Sequence, residues 1–213
     1  MNQRRNLLQG LAAGGLSAWM SELLAADGPP VQQGLRRVQG EVWINGARAR
    51  PGQLVRGDDT VSTGAGSEAV FVMGDNAHLL RDRGRVSFLG QGAQSVMRVI
   101  SGKLLSVFGR RRRRILTSTA VIGIRGTGCY IEVQENRVYF CLCYGSADLQ
   151  PLADPRQARS LITQHHDSPF YIGSDASGPL IRPASVTNHT DAELILLEHA
   201  VGREPPFQGE SSY

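Results

Sequence analysis

Short apolar segments alternate with polar turn residues through the middle of the chain. Between residues 35 and 150, runs of roughly four to seven apolar or alternating residues are separated by Gly, Asn and Asp. This spacing is typical of antiparallel sheets, in which short strands are joined by tight turns. The pattern predicts about ten to twelve strands in one all-β unit, an antiparallel sandwich or barrel-like domain.

Two hairpins have the clearest signals. Asn45-Gly46 follows Glu41-Val42-Trp43-Ile44, and both of its residues accept the positive φ that a type I′ turn requires. The second hairpin has residues 129–134 and 138–144 as its arms, joined around Glu135-Asn136-Arg137. In its arms, apolar and polar residues alternate with the two-residue period of a half-buried strand.

Beyond residue 150 the strand rhythm fades. Prolines divide the segment into short pieces, so residues 151–213 are expected to form an irregular C-terminal extension draped on the sandwich. One helix is predicted near residues 191–201, because Thr190-Asp191-Ala192-Glu193 is a capping box and Gly202 suits a left-handed C-cap. A helix of about eleven residues does not persist alone in water, so its leucine face is expected to dock.

The first 26 residues have the layout of a secretory signal. Arg4 and Arg5 precede a weakly apolar, Gly/Ala-rich stretch that ends in small residues, as in a twin-arginine signal peptide. A retained anchor helix is the alternative, although Glu22 inside the stretch disfavours it. Cleavage would leave a soluble periplasmic protein without a membrane span.

The composition and charge further narrow the class of protein. The 213 residues, of 23.1 kDa, suffice for one good-sized domain, and the formal charge of +4 does not by itself indicate nucleic acid. An exported protein seldom meets nucleic acid, so none is expected as a partner. Three cysteines cannot all pair within one chain, which excludes a disulfide framework as the organising principle.

Five phrases in the middle of the chain occur in a recognisable order. They are residues 38–46, 52–58, 61–67, 102–104 and 117–127, the last containing Ile124-Arg125-Gly126-Thr127. Together they resemble the FecR domain over residues 38–149. The resemblance implies a periplasmic, nearly all-β module, known from transmembrane regulators that relay an iron-siderophore signal to a sigma factor.

The chain departs from those regulators at its N-terminus. They carry a cytoplasmic sigma-binding segment before their membrane helix, whereas only residues 1–5 precede the apolar stretch here. We therefore expect no anti-sigma role. The resemblance implies the module, its compartment and a link to iron-responsive processes, but a fold does not determine a function.

Gly126, Thr127 and Gly128 are predicted to form a structural turn. Two glycines between apolar runs suit a tight bend or bulge where backbones approach closely. A phosphate-binding loop would need a following helix, and residues 129–133 alternate like a strand instead.

Cys141 and Cys143 lie two residues apart in a predicted strand, so both thiols share one face, roughly 6.5 to 7 Å apart at Cα. A disulfide between them would be strained. A three-residue turn at residues 135–137 would place Cys129 on the same face, opposite Cys143. A two-residue turn at Glu135-Asn136 would place it on the other face, and the sequence leaves both open.

Histidines downstream suggest a metal site. His165, His166 and, further on, His189 offer imidazoles, and two thiolates with one or two imidazoles suit tetrahedral zinc or another thiophilic metal. The twin-arginine route carries folded proteins, often with a cofactor in place. The predicted ligands are drawn from the set Cys129, Cys141, Cys143, His165 and His166.

Two other states of the cysteines stay open. Free buried cysteines behave as small hydrophobic residues, and a cross-strand disulfide with one thiol left over would suit an oxidising compartment. His189, just before the predicted helix, and His199, on it, are expected at the surface.

A run of five arginines is the most concentrated charge in the chain. It is expected at a hairpin tip, where guanidinium groups would contact a partner, a phosphate or a lipid A-like anion. The alternative is a solvated loop whose like charges discourage edge pairing. The run consists of Arg110, Arg111, Arg112, Arg113 and Arg114.

No familiar catalytic motif is present: the sequence has no Gly-x-Ser-x-Gly elbow, His-Glu-x-x-His pair or Walker loop. The cysteines lie in mid-strand, where substrate access is poor. We therefore expect a non-enzymatic exported protein with a binding, signalling or scaffold role, contacting a periplasmic protein or envelope component. The alternative is a periplasmic metal- or cofactor-binding protein that uses the Cys/His cluster.

Overall fold

A computed structural model describes residues 31–90 and 95–207 of the chain. The predicted leader, with Arg4 and Arg5, lies outside these residues. The described part contains 14 strands, one short 3-10 turn at Pro155–Gln157 and one α-helix, α1, at Asp191–Ala200. The strands are β1 (Gly34–Gln39), β2 (Val42–Ile44), β3 (Ala47–Arg48), β4 (Thr60–Thr63), β5 (Glu68–Met73), β6 (Asn76–Leu80), β7 (Arg85–Leu89), β8 (Val96–Val107), β9 (Arg113–Leu116), β10 (Ala120–Val133), β11 (Arg137–Pro151), β12 (Arg159–Thr163), β13 (Ser168–Gly173) and β14 (Ile181–Pro183).

Three long strands fold this sheet into two layers. The first half of β8 pairs with β7 and its second half with β6. In the same way β10 pairs first with β9 and then with β8, and β11 pairs first with β13 and then with β12. All pairings are antiparallel except β8 with β9. The predicted all-β, antiparallel sandwich is confirmed, and the sheet does not close into a barrel.

The main core lies between the two layers. Val61 and Val86 enter it from one layer, and Phe71, Leu104 and Phe140 enter it from the other, all with no exposed surface. Burying each such side chain contributes about 1.5 to 3 kcal/mol to folding. The alternation that predicted the strands thus corresponds to a shared apolar interior.

A second apolar layer covers the outer face of β5, β6, β8, β10 and β11. Helix α1 packs on β6 and β8, and its Leu194 and Leu197 are fully buried against residues such as Leu79 and Leu105. The predicted capping box is present, since Thr190 Oγ1 accepts from Glu193 N and Glu193 Oε2 accepts from Thr190 N. The predicted docking of the leucine face is confirmed.

Local turn chemistry also agrees with the sequence. Asn45 and Gly46 have φ of 52° and 81°, as a type I′ turn requires. Gly202, after the helix, is left-handed at 69°. No helix within residues 31–90 and 95–207 combines the length and apolarity that crossing a membrane requires.

The expected irregularity of the C-terminal extension needs a correction. Strands β12 and β13 both pair with β11, and β14 pairs with β13, so the extension enlarges the sheet. Its prolines misled the prediction because Pro169 and Pro183 lie close to strand ends, where a missing N–H is tolerated.

One buried histidine belongs to the main core. His78 lies among the rings of Phe71, Phe88 and Phe108, and its Nδ1 is 2.8 Å from Ser106 Oγ. Burial, with a smaller effect of the Arg113 charge, lowers the pKa of His78 to about 3. The folded protein therefore keeps this imidazole neutral through mildly acidic pH.

We predict an acid-sensitive contribution to stability from this residue. The unfolded chain protonates His78 below about pH 6.5, whereas the folded chain does not until about pH 3, so the free energy of unfolding falls as pH drops through this window. Between pH 6.5 and 4.5 the wild type should lose about 2 to 3 kcal/mol more than His78→Gln. Urea unfolding of both proteins, with EDTA present, measures the difference, and equal losses would contradict the assignment.

Candidate metal centre

The turn between β10 and β11 determines where each cysteine side chain lies. Gln134 N donates to Arg137 O at 3.0 Å, so the turn is the two-residue alternative, Glu135-Asn136. Cys129 consequently pairs with Leu142 and faces the main core. Cys141 and Cys143 belong to the outer apolar layer beneath α1. Cys129 therefore lies on the opposite face from the other two thiols and is removed from the predicted ligand set.

The two neighbouring histidines lie in the connection between β12 and β13. His166 is buried, its backbone N donates to Cys143 O at 2.9 Å, and its φ is 50°. A non-glycine residue in this left-handed region costs about 1 to 3 kcal/mol. The backbone hydrogen bond to Cys143 keeps His166 next to β11, with its Nδ1 3.8 Å from Cys141 Sγ.

His189 was predicted at the surface, and this prediction was wrong. It is buried rather than at the surface, and its ring stacks on Tyr130 with centroids 4.7 Å apart. It directly precedes the N-cap of α1, so the docking of that helix carries it onto the sheet. The predicted docking of α1 could have indicated the burial of His189, because a residue beside the end of a docked helix is often covered too. His199 is exposed as expected and lies 2.8 Å from Glu204.

Four buried side chains converge beneath the N-terminus of α1. One ligand atom from each of Cys141, Cys143, His166 and His189 lies within 4.8 Å of every other. His166 Nδ1 and His189 Nε2 are 3.1 Å apart. A tetrahedral zinc ion would separate two nitrogens by about 3.3 Å and a nitrogen from a sulfur by about 3.6 Å. The observed separations of 3.1 Å between the two nitrogens and 3.8 Å between His166 Nδ1 and Cys141 Sγ are close to these values.

The outer nitrogen of each imidazole already has an acceptor. His166 Nε2 lies 2.9 Å from Asp191 Oδ1, and His189 Nδ1 lies 2.7 Å from the Thr187 carbonyl oxygen. A carboxylate and a carbonyl accept, so both outer nitrogens carry the proton. In the neutral imidazoles, the two inner nitrogens then present bare lone pairs to one another. Without a metal, a proton on His166 Nδ1 relieves that repulsion and is donated to Cys141 Sγ, 3.8 Å away; a metal cation between the two nitrogens would relieve it instead.

His165 supports the cluster without entering it. Its Nε2 lies 3.0 Å from both carboxylate oxygens of Asp191, and its ring stacks on Phe207. Asp191 thus receives hydrogen bonds from two histidines and orients the ring of His166. Such carboxylate–histidine contacts typically surround metal sites and determine the tautomer of the ligand.

The electrostatics separate the two thiols. A hydrogen bond from Cys143, together with those from His166 and His189, holds the pKa of Cys141 well below its usual range despite burial. Burial is the main cause that raises the pKa of Cys143. For His166, burial lowers the pKa, but its contacts with Cys141 and Asp191 outweigh that and raise it. Of the two thiols, Cys141 therefore loses its proton more readily than Cys143.

A nucleophilic role is the other chemistry that these residues suggest. Cys141, His166 and Asp191 stand in the order of nucleophile, base and orienting carboxylate. Cys141, however, has no exposed surface. A substrate would have to displace α1 to reach the sulfur, so the geometry favours holding a metal over attacking a substrate.

The segment Gly126, Thr127 and Gly128 forms a bulge. The β10–β11 register shifts there, and Thr127 Oγ1 donates to Ser146 O at 3.0 Å. A Cβ on Gly128 would lie 2.3 Å from the Tyr144 ring, so a larger residue does not fit. These contacts give the segment an architectural place in the sheet.

The arginine run is not at a hairpin tip. Residues 110–112 lie in the connection between β8 and β9, and Arg113 and Arg114 begin β9. Strand β9 runs parallel to the first half of β8, with Val96 opposite Arg114. The expectation failed because the bend of β8 between the layers lets the chain return alongside the start of that strand.

Comparison with known proteins is limited to distant structures. No protein-family model and no curated protein matches the chain. Two crystal structures of a proposed anti-sigma factor from Parabacteroides distasonis ATCC 8503, at 1.65 and 2.50 Å, are 9% and 10% identical, with TM-scores of 0.49 and 0.48. Each match covers 59% of this chain and 60% of the other, less than two thirds of its length. The resemblance to the FecR domain therefore stays a prediction.

The rate at which each thiol is alkylated tests whether Cys141 and Cys143 lie beneath α1 while Cys129 lies on the opposite face. Leu197→Ala removes a fully buried contact of α1, which costs about 2 to 5 kcal/mol and loosens the helix. With EDTA present, we predict that this change speeds alkylation of Cys141 and Cys143 but not of Cys129. Mass spectrometry of the alkylated peptides gives the rates, and Ile162→Ala, at an exposed side chain, is the control. Equal acceleration at all three cysteines would contradict the assignment.

Proposed function

We propose that this chain is a non-enzymatic metal-binding protein in which Cys141, Cys143, His166 and His189 hold one Zn²⁺ in a closed structural site. The observation that supports this most is the pair of imidazole nitrogens that face each other at 3.1 Å beside two thiols. Both rings are already oriented by acceptors at their outer nitrogens, as ligands of a metal are.

Zinc fits this donor set better than other metals do. Two sulfurs and two nitrogens around a tetrahedral point suit Zn²⁺, whereas Cu²⁺ prefers tetragonal sites and iron–sulfur clusters usually take four cysteines. Two thiolates also cancel the double positive charge of the ion. A neutral site can be buried beneath a helix at a far lower desolvation cost than an uncompensated ion.

The role of the metal follows from where its ligands lie in the chain. The cysteines belong to β11, His166 to the β12–β13 connection and His189 to the residues before α1. One ion would therefore join the sheet, a loop and the helix that covers the outer apolar layer. Because the ion binds the folded arrangement, its binding free energy adds to the stability of the docked helix.

We base the compartment and the partner that we propose on the sequence. Export to the periplasm, contact with a periplasmic protein or envelope component and a link to iron-responsive signalling derive from the leader-like residues 1–26 and the FecR-like phrases. On this proposal the protein is a zinc-stabilised binding or scaffold module. Fractionation of cells that express the full chain tests the compartment, and protein retained in the cytosol would refute it.

Metal content is the first test. We predict about one equivalent of zinc per chain in the wild type, and less than about a tenth in Cys143→Ser and in His189→Asn. Matched controls come from the same chain: Cys129→Ser changes a buried cysteine on the other face, and His199→Gln changes an exposed histidine. Both controls should keep the wild-type stoichiometry, measured by elemental analysis of the purified proteins.

Cobalt substitution supplies an independent readout of geometry. Tetrahedral Co²⁺ with two thiolates gives intense visible bands and sulfur-to-cobalt charge transfer, which octahedral cobalt lacks. A wild type that takes up no metal, or a Cys129→Ser variant that loses it as completely as Cys143→Ser, would refute the proposed site.

Asp191 should tune affinity without being a ligand. Removing the carboxylate in Asp191→Ala frees the His166 ring, and we predict that zinc affinity falls about 10- to 100-fold while stoichiometry is kept. Asp191→Asn keeps an acceptor and should lose less. Competition with a chelating dye measures both constants, with Asp175→Asn, in an exposed loop, as the control. An unchanged affinity in Asp191→Ala would show that the carboxylate does not orient the ligand.

A further inference from the structure

The space between the two layers is open at one end. A cavity of about 410 Å³ lies there, lined by apolar side chains from both layers. Its volume is within the usual range for a small-molecule site. None of the four proposed zinc ligands lines it. The apolar lining includes Leu54, Val55, Met73, Phe88, Met97 and Phe108.

Arginines line the same cavity. Arg111 and Arg114 are exposed there, and neither has an ion pair with another described residue. Arg113 donates to Asp75 and Ser95, but its buried Nε has no hydrogen-bond partner within residues 31–90 and 95–207. Asp75 forms an ion pair with Arg113, and no Asp or Glu is among the described residues that line the cavity.

The interior of the cavity carries no compensating charge. His78 lines it and stays neutral, because burial keeps its pKa far below neutrality. The site thus combines an apolar interior with positive charge in the exposed guanidinium groups at its edge. A ligand that matches both parts needs an alkyl chain and an anionic head.

We propose that this cavity binds an amphipathic anion, with a single alkyl chain between the two layers and a carboxylate or phosphate head at Arg111 and Arg114. Guanidinium groups bind both heads through paired N–H donors. Inorganic phosphate alone would satisfy the arginines but leave the apolar cavity unfilled. A neutral alcohol would fill the cavity but leave the arginines without an anion.

Binding of matched ten-carbon amphiphiles to the full chain tests this proposal. The probes are decanoate, decyl phosphate, decanol, decyltrimethylammonium and inorganic phosphate, titrated by calorimetry with the charged amphiphiles below their micelle concentrations and decanol below its solubility limit. We expect both anions to bind at least about tenfold more tightly than decanol, and inorganic phosphate and the cation to bind no more tightly than decanol. The ratio of the two anions identifies the preferred head.

Two charge-matched variants separate this site from general attraction of anions. Arg111→Gln/Arg114→Gln removes two arginines that line the cavity, whereas Arg110→Gln/Arg112→Gln removes two neighbours that do not. The first should weaken anion binding at least about tenfold and leave decanol unchanged, and the second should change neither. Met73→Trp, which fills the cavity, should weaken all alkyl ligands.

Three outcomes would overturn the proposal: binding of no amphiphile, equal binding of cation and anion, or equal losses in the two double variants. The thermal midpoint of each variant reports whether it folds, whether or not the protein binds zinc. The zinc proposal and the amphiphile proposal therefore fail independently of one another.

Discussion

The two-residue turn at Glu135-Asn136 decides which face of the sheet carries each cysteine. Side chains alternate along a strand, so one more residue in that turn would move the β10 side chains to the opposite face. The observed turn places Cys129 in the main core and leaves Cys141 and Cys143 beneath α1. The cluster, the position of the helix over it and the proposed zinc site all depend on this parity.

The covering helix makes the cluster possible, and the cluster in turn gives the helix a specific position. A helix of ten residues would be marginal alone, and here its leucines bury the outer face of the sheet. Hydrogen bonds and ion pairs also fix the orientation in which the helix docks. Tyr144 donates to the buried Glu198, which also pairs with Arg203, and Arg81 pairs with Glu193. A metal held by His189 would attach the residue just before the N-cap of the helix to the sheet below it.

Local signals in the sequence predicted the local structure well. The Asn45-Gly46 turn, the capping box at Thr190 and the alternating strands all depend on neighbouring residues, which the sequence displays directly. The β12–β14 strands escaped prediction because prolines interrupt their pattern, and the parallel β8–β9 pairing escaped prediction because it depends on how β8 bends between the layers. His189 was misplaced because its burial depends on where α1 docks. The face on which Cys129 lies depends on the length of the β10–β11 turn, and the sequence was compatible with both a two-residue and a three-residue turn.

X-ray absorption spectroscopy at the zinc edge of the purified full chain identifies the atoms that bind the metal, and so tests whether both Cys141 and Cys143 are ligands. We predict a shell of two sulfurs at about 2.3 Å and two imidazole nitrogens at about 2.0 Å. A shell of oxygen and nitrogen alone, or of three sulfurs, would contradict it. The first would mean that the thiols do not bind the metal, and the second would mean that Cys129 shares a face with Cys141 and Cys143 after all.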